Sequence, residues 1–366
     1  MNLNNMQNDK KTVVVGMSGG VDSSVSAYLL KKDGFNVVGL FMQNWQSEPG
    51  EVCTSEIDFA DASNVCDKLE IPLHKANFSN QYWDRVFEEF LNEHKAGRTP
   101  NPDILCNREI KFKSFLDYAF NIGANYIATG HYASLKQIDG HTYLCRAKDL
   151  KKDQTYFLHE VKEAEFRKCL FPLENYSKTE VRKIAYDIGL EVSSKKDSVG
   201  ICFVGERNLK DFLGRFIKLE VGNILDEFGN TIGKHNGATL YTKGQRQGLN
   251  IGGLKGREDL PWYVYDKNIK ENEIYVCQGI DNDLLFSKSL ECNNISWIND
   301  NSLSFPLKCS IQVRHQHKPV KCEILKDDNK FIVNFSESIR GVSEGQSAVF
   351  YDKNMCLGGG IISKSA

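Results

Sequence analysis

The chain has 366 residues, of which 41% are hydrophobic and 26% charged, a composition typical of a globular protein with two or three domains. No apolar run approaches the about 20 residues of a membrane-spanning helix, which argues against membrane insertion. The formal net charge is −2, from 46 Lys and Arg against 48 Asp and Glu, so any surface that binds a nucleic acid must be local.

The first two hundred residues alternate strand and helix signals. We predict strands at 13–15, 36–42, 71–76 and 126–129, and helices at 21–32, 55–69, 82–95 and 110–121. The segment 98–107 contains two prolines and is predicted to be a loop. This alternation predicts an α/β fold with a doubly wound, mainly parallel sheet covered by helices.

The remainder of the chain carries weaker but distinct patterns. Asp139-Gly140 predicts the turn of a hairpin at 134–146, and the capping-box spacing of Ser177 and Glu180 predicts the start of a helix. Frequent glycine after about residue 208 indicates a small central domain, and short alternating segments after about 273 predict an all-β barrel. We therefore predict three domains, at 1–207, 208–272 and 273–366.

The eleven cysteines include no CxxC pair and no Cys-His cluster at zinc spacing, so we expect no metal framework. The chain also opens without a signal-peptide pattern, which favours a reducing cytoplasm. Cys106 is followed by Arg108 and two lysines, and nearby cations favour the nucleophilic thiolate. Cys202 lies in a glycine-flanked segment that could present a thiol at a turn. For either cysteine alone, a buried and inert thiol remains the alternative.

A glycine- and serine-rich sequence, GMSGGVDSS at 16–24, joins the first predicted strand to the first helix. A helix N-terminus presents unpaired N–H groups and a positive dipole end, both suited to a phosphate. Ser18 and Ser23 can add hydroxyl donors, whereas Asp22 fits an anion site only with a cation such as Mg²⁺ in between. The alternative is a turn whose glycines serve packing alone.

Further motifs follow in order along the chain: GLFMQNW at 39–45, TPNPDILCNREIKF at 99–112, ATGHYA at 128–133, KDQTYFL at 152–158, DSVGICFVG at 197–205, TKGQRQGL at 242–249 and EGQSAVFY at 344–351. Together with the loop at 16–24, they resemble the tRNA-specific 2-thiouridylases (the MnmA/TrmU family) of the N-type PP-loop ATP pyrophosphatases. The resemblance covers nearly the whole chain.

The resemblance implies a tRNA-uridine 2-sulfurtransferase. In that family ATP with Mg²⁺ adenylates the C2 oxygen of the wobble uridine, and sulfur from a cysteine persulfide then displaces AMP. It implies that Cys202 carries the persulfide, that Cys106 is the second catalytic cysteine and can pair with Cys202 in a disulfide, and that Asp103 acts as acid/base or positioning residue. The implied nucleotide-binding residues are Gly16, Met17, Ser18, Gly19, Gly20, Val21, Asp22, Ser23, Met42 and Gly130.

The resemblance also implies which residues contact the tRNA. Those at the target base are Asn101, Pro102 and Asp103, and those elsewhere on the tRNA are His131, Lys152, Asp153, Gln154, Arg314, His315 and Gln346. Many relatives have Arg-Tyr where this chain has Arg314-His315, which weakens the case for an aromatic stack there. The segment 234–257 contains five Lys or Arg and no Asp or Glu, so it is a candidate basic surface for RNA, although charge runs are more often solvated faces.

The implied partners are a tRNA with a wobble uridine and a cysteine desulfurase or sulfur-relay protein as donor, with no membrane and a monomeric enzyme. Two other classes of function stay open. Another PP-loop adenylating enzyme, a ligase or amidotransferase, would share 16–24 without needing the two cysteines. A non-catalytic tRNA-binding protein would retain tRNA without releasing pyrophosphate.

Overall fold

The computed structural model describes residues 11–45, 54–197, 209–253, 258–299, 303–328 and 330–366. Cys202 and most of the segment around it lie outside these residues, as do Lys255 and Arg257 of the basic run. The helices are α1 (Val21–Lys32), α2 (Thr54–Lys68), α3 (Ser79–Tyr82), α4 (Glu88–Lys95), α5 (Pro102–Leu105), α6 (Phe115–Asn121), α7 (Glu163–Phe166), α8 (Lys178–Asp187) and α9 (Leu209–Leu213).

The first sheet has five parallel strands and confirms the predicted α/β fold. Its strands are β1 (Thr12–Met17), β2 (Asn36–Gln43), β3 (Leu73–Asn77), β4 (Tyr126–Ala128) and, later in the chain, Cys169–Leu170. The spatial order is β3-β2-β1-β4 followed by Cys169–Leu170. β1 therefore has strands on both sides, β2 and β3 on one and β4 and Cys169–Leu170 on the other. Val13, Val14 and Val15 of β1 are fully buried between two helical layers. This topology makes β1 the strand whose carboxyl end is best placed to bind a ligand.

The helical layer between β3 and β4 differs from the predicted loop at 98–107. Asn101 caps α5, its side-chain oxygen accepting a hydrogen bond from the Asp103 N–H at 3.1 Å, and Pro102 occupies the first helical position. Proline is favoured at that position because its missing N–H would have no helical partner. A nine-residue π-helical segment, Cys106–Ser114, continues α5 into α6, and a second, Trp83–Phe87, joins α3 to α4.

The predicted hairpin and barrel both form, and they share a sheet. The hairpin strands are β5 (Ser134–Ile138) and β6 (His141–Cys145). In chain order, the strand Cys169–Leu170 of the first sheet is β7. The barrel strands are β12 (Phe286–Trp297), β13 (Leu307–Gln312), β14 (Val320–Asp327), β15 (Lys330–Arg340), β16 (Ser347–Asp352) and β17 (Met355–Ser365). Pairing of β12 with β17 closes the six antiparallel strands, and Cys145 of β6 pairs with Met355 of β17.

Between these parts lies a smaller four-stranded sheet. Its strands are β8 (Gly222–Leu225), β9 (Thr231–His235), β10 (Trp262–Asn268) and β11 (Glu273–Gln278), in the order β10-β11-β8-β9. Ile224, Val264, Ile274 and Val276 are fully buried in its own apolar cluster. Among the described residues, no helix is both long and apolar enough to cross a membrane.

Glu163 joins the first part of the chain to the barrel. Its carboxylate accepts hydrogen bonds from the Thr142 N–H at 2.9 Å, from the Asn299 amide at 2.8 Å and from Arg167. Burial alone would raise the pKa of Glu163, but these hydrogen bonds and one from His141 lower it to about 2. An ordinary glutamate has a pKa of about 4.3.

We expect Glu163→Gln to lower the free energy of unfolding at pH 7 by about 1.5–3 kcal/mol, the range for hydrogen bonds to a charged group. Because the folded-state pKa is depressed, the stabilisation is complete above about pH 4.3 and is lost as the pH falls towards 2. Thermal unfolding at pH 7 and pH 3 should therefore show a difference between variant and wild type that shrinks at pH 3. Glu70→Gln, at a carboxylate 86% exposed, is the control and should not change stability. An equal loss at both pH values would contradict the role of the charge.

Candidate active site

The loop between β1 and α1 is held by its own serines. Ser23 Oγ lies 3.2 Å from both the N and the Oγ of Ser18, and it donates to the Gly20 carbonyl at 3.1 Å. Ser24 Oγ donates to the same carbonyl at 2.8 Å. Gly20 is the N-cap residue of α1 and has an extended backbone. Because glycine has no side chain to accept a hydrogen bond from the helix, the first N–H groups of α1 face the loop. This arrangement is a candidate cradle for a phosphate.

Two glycines of the cradle have no space for a side chain. Gly19 has φ +69°, and a Cβ there would lie 2.3 Å from the Asp58 carbonyl oxygen. A Cβ at Gly130, directly after β4, would lie 2.8 Å from the Ser23 nitrogen. Gly19 therefore allows the loop to approach the backbone of α2, and Gly130 allows the end of β4 to approach the start of α1. The resemblance assigns both glycines to the nucleotide site, and in the structure Gly19 lies in the β1–α1 loop while Gly130 lies against Asp22 and Ser23.

Asp22, in the first turn of α1, faces two residues that the sequence analysis did not single out. The Lys178 ammonium of α8 donates to both carboxylate oxygens, at 2.9 and 2.7 Å, and the Tyr132 hydroxyl donates at 2.9 Å. Burial, together with the Asp22 charge, raises the pKa of Tyr132, which keeps the hydroxyl protonated as a donor. The cation beside Asp22 in the structure is the Lys178 ammonium.

The same lysine reaches the residues that lead towards Cys202. Lys178 Nζ also lies 2.7 Å from Asp197, which Lys152 contacts at 2.7 Å. Burial opposes ionisation of Asp197, but the hydrogen bonds from Lys152 and Lys178 lower its pKa to about 2. Lys195 adds a second link, donating to the Gly19 carbonyl at 3.1 Å and to Asp58 and Asp61. The stretch 195–197 is thus attached directly to the phosphate loop.

Cys106 lies at the junction of α5 and the π-helical segment and is fully buried. The predicted cationic surroundings are partly neutralised, because Arg108 pairs with Glu160 at 2.6 Å and Glu109 at 2.9 Å, and Lys113 pairs with Glu109. The helix start at Asn101 and Pro102 places Asp103 one turn before Cys106. Helical geometry therefore fixes the position of the Asp103 carboxylate relative to the Cys106 thiol, which lies three residues later.

Met42 packs in the same apolar cluster as Cys106. A Cβ built at Gly16 would lie 3.3 Å from Met42 Cε, so Met42 is next to the strand that ends in the phosphate loop. Met17 and Val21 are buried beneath the loop, in the cluster on the other face of the sheet. Met42 thus connects the candidate nucleotide site to the layer that carries Cys106.

Several of the residues implied to contact tRNA are buried or hydrogen-bonded within the fold. His131 is only 8% exposed, with Nδ1 2.8 Å from the Thr129 hydroxyl, and burial holds its pKa well below the ordinary value. Asp153 is also buried, bound by Arg146 and Thr155, and its carbonyl oxygen lies 2.7 Å from His315 Nε2. Gln154 accepts from the Tyr132 N–H. Structural bonds thus occupy several of these side chains, and the structure brings 152–154 together with His315.

The segment before Asn101 contacts residues from two distant parts of the chain, the region of the four-stranded sheet and the barrel. The Thr99 carbonyl accepts from the Gln346 amide at 2.6 Å, its N–H donates to the Glu344 carbonyl, and its hydroxyl lies 3.1 Å from that of Thr242. Arg314 binds the Lys243 and Gly341 carbonyls, and burial lowers its pKa. Gln346 therefore holds the segment that precedes α5, and Arg314 holds the segment around Lys243. Such contacts between distant segments leave no local pattern in the sequence.

The basic run contributes less unpaired charge than its sequence suggests. Lys243 pairs with Asp266 and Glu344, each at 3.2 Å, and Lys234 donates to Asn223. Both acidic partners of Lys243 lie outside the run.

The described residues contain no cluster of three or more His, Cys, Asp or Glu side chains that could hold a metal. For Mg²⁺ accompanying a nucleotide, the fitting ligand is the single carboxylate of Asp22 beside the phosphate cradle, since Mg²⁺ is usually bound through one or two carboxylates and phosphates.

A parallel sheet ending in a glycine-serine phosphate loop defines the class of nucleotide-binding α/β proteins. Family models agree with this class and extend beyond it: residues 11–206 match a tRNA methyl transferase HUP domain, 210–278 a tRNA methyl transferase PRC-barrel domain, and 287–362 an aminomethyltransferase β-barrel domain.

Similar curated proteins identify the family. The chain is 52% identical to the tRNA-specific 2-thiouridylase MnmA of Pseudomonas fluorescens, over 96% of this chain and 94% of that protein. It is 50% identical to that of Legionella pneumophila, over 97% and 99% of the two chains. The chain belongs to the tRNA-specific 2-thiouridylase family, which confirms the resemblance seen in the motifs.

One similar solved structure is the U34-tRNA thiolase NcsA from Methanococcus maripaludis. It shares 21% identity and a TM-score of 0.34, covering 50% of this chain and 58% of that protein. A similarity of this size supports no inference about the site.

Proposed function

We propose that this chain is a tRNA-uridine 2-sulfurtransferase, which uses ATP to convert the wobble uridine of tRNA to 2-thiouridine. The observation that supports this most is the 52% identity to a tRNA-specific 2-thiouridylase over nearly both full lengths. The phosphate cradle at Gly19, Gly20 and Ser23 and the buried thiol of Cys106 are consistent with the two halves of the reaction.

In the first half, the C2 oxygen of the uridine attacks the α-phosphorus of ATP and pyrophosphate leaves. The α1 N-terminus binds the phosphates, and Asp22 would hold Mg²⁺, which supplies charge neutralisation at the phosphates when bound. Lys178 stands within 2.9 Å of Asp22 and can neutralise further phosphate charge. Asn101, Pro102 and Asp103 would position the base, with Asp103 as acid/base residue.

In the second half, Cys202 carries the sulfur as a persulfide received from a cysteine desulfurase or a relay protein. Attack of the Cys106 thiolate on the Cys202 sulfur breaks the persulfide bond, forms a Cys106–Cys202 disulfide and releases hydrosulfide. The hydrosulfide then attacks C2, and AMP leaves with the former C2 oxygen. A thiol reductant returns the disulfide to two thiols, so the disulfide is transient, as expected in a cytoplasmic enzyme. We propose that the enzyme is a monomer there.

The decisive experiment is mass spectrometry of nucleosides from tRNA incubated with the enzyme, ATP, Mg²⁺ and a sulfide source. We expect ATP-dependent 2-thiouridine accompanied by one pyrophosphate per modified base. A control tRNA with cytidine at the wobble position should gain no sulfur. Absence of 2-thiouridine from the uridine-containing tRNA would refute the proposed function.

A further inference from the structure

Asn44 is a buried side chain whose polar atoms have no partner in the part of the chain that the structure describes. It follows β2 directly and is 2% exposed, yet neither its amide nitrogen nor its amide oxygen has a hydrogen-bond partner among the described residues. Most of the other buried polar side chains near the site are bonded, as His131 is to Thr129.

An unpartnered buried amide is unfavourable. A buried donor or acceptor without a partner costs about 1–3 kcal/mol, and Asn44 leaves both kinds unpaired. Folded proteins satisfy roughly nine in ten such groups. A buried amide without a partner among the described residues is therefore a candidate for binding a ligand that supplies one.

The position of Asn44 relates it to the candidate site. Asn44 stands between Met42 and Trp45 in the chain, and both pack in the apolar cluster that contains Cys106. It also lies just beyond the carboxyl end of β2, the neighbour of β1. Ligands of open parallel sheets bind outside the carboxyl ends of the strands.

The chemistry of the amide selects the kind of ligand. A primary amide offers one donor edge and one acceptor edge side by side. Nucleobases present the complementary pair: adenine through its amino group and a ring nitrogen, and uracil through N3–H and an adjacent carbonyl oxygen. Bidentate pairing of asparagine with adenine is a common form of base recognition.

We propose that Asn44 is a nucleobase-binding residue of the active site, pairing through its amide with the adenine of ATP or with the target uracil. This inference rests on the proposed function for its two candidate bases. Asn107 offers a second, weaker feature of the same kind: its amide nitrogen donates to the Phe157 carbonyl, but its buried oxygen has no partner among the described residues.

The test compares Asn44→Leu, which keeps the branched shape, with Asn44→Ala, which avoids overpacking. Asn36→Leu, at the exposed opposite end of β2, is the control. We expect neither Asn44 variant to lower the melting temperature by more than about 5 °C, because each removes unpaired polar atoms from the interior. We expect affinity for one base to fall about ten- to a hundredfold, the loss typical of one bidentate base contact. Asn36→Leu should bind as the wild type does.

Two binding measurements distinguish the bases. If adenine is the ligand, calorimetry should show weaker AMP binding by both Asn44 variants. If uracil is the ligand, AMP binding should stay unchanged, while binding of an anticodon stem-loop with uridine at the wobble position should weaken. Either result supports the proposal.

Two results would overturn it: unchanged affinity for both AMP and the uridine stem-loop, or a large loss of thermal stability in both Asn44 variants, which would make the amide structural. The AMP measurement does not depend on sulfur transfer. A wild-type enzyme that makes no 2-thiouridine but binds AMP through Asn44 would therefore refute the proposed function and leave this inference standing.

Discussion

Cys106→Ser should reduce formation of 2-thiouridine by at least about a thousandfold, since loss of a catalytic nucleophile typically costs that much or more. Serine differs from cysteine by one atom and fits the same fully buried position between α5 and the π-helical segment. The hydroxyl, however, cannot attack a persulfide at neutral pH. The phosphate cradle lies on a different element, so ATP affinity should remain within about twofold of the wild type.

The measurement combines calorimetric titration of ATP with nucleoside mass spectrometry, in which a cysteine desulfurase and cysteine supply the sulfur, because added hydrosulfide would attack C2 without either cysteine. Cys169→Ser is the matched control, because Cys169 is also buried in the first sheet and donates to the Glu165 carbonyl, a bond that serine can keep. We expect full thiolation from this control and none from Cys202→Ser. Undiminished thiolation by Cys106→Ser would exclude the two-cysteine mechanism.

Gly130→Ala should weaken ATP binding by about tenfold or more. The added Cβ would lie 2.8 Å from the Ser23 nitrogen and 2.9 Å from the Asp22 carbonyl carbon, so the backbone at the start of α1 must move. Overpacking of this kind typically costs about 1–3 kcal/mol, and here the shift falls on the N–H groups that would bind phosphate. Both the melting temperature and the ATP affinity should therefore fall.

Gly253→Ala provides the comparison, because a Cβ there meets no atom within 4 Å. Calorimetric ATP titration and thermal unfolding should show no effect of this control. If Gly130→Ala bound ATP normally, the approach of Gly130 to α1 would have no role in the nucleotide site. A loss of stability without any loss of ATP affinity would also contradict the prediction.

Local sequence was sufficient wherever a structure depends on neighbouring residues. The capping box of Ser177 and Glu180 forms as expected, and so does the turn at Asp139-Gly140, where both residues have positive φ. The helix beginning at Pro102 differs from the predicted loop at 98–107, because proline is favourable at the first helical position and does not break a helix there.

Residues that act through tertiary contacts could not be found in this way. Lys178 meets Asp22 across 156 positions, and Tyr132 meets it across 110. A lysine in the first turn of a helix reads as an ordinary solvated residue until the fold places a carboxylate beside it. Asn44 lay inside a recognised motif, but its unpaired amide is visible only when burial and partners are known.

The hairpin of β5 and β6 has a consequence for attempts to divide this enzyme. Because β6 pairs with β17, the part that carries the phosphate loop supplies two strands to the sheet of the barrel. A fragment ending near residue 207 would lose the pairing of Cys145 with Met355 and would expose the β6 edge, leaving it prone to aggregate, whereas a barrel expressed alone would keep the β12–β17 pairing that closes it. The hairpin is therefore a hydrogen-bonded attachment of the first part of the chain to the barrel, and the two parts cannot be separated without breaking that strand pairing.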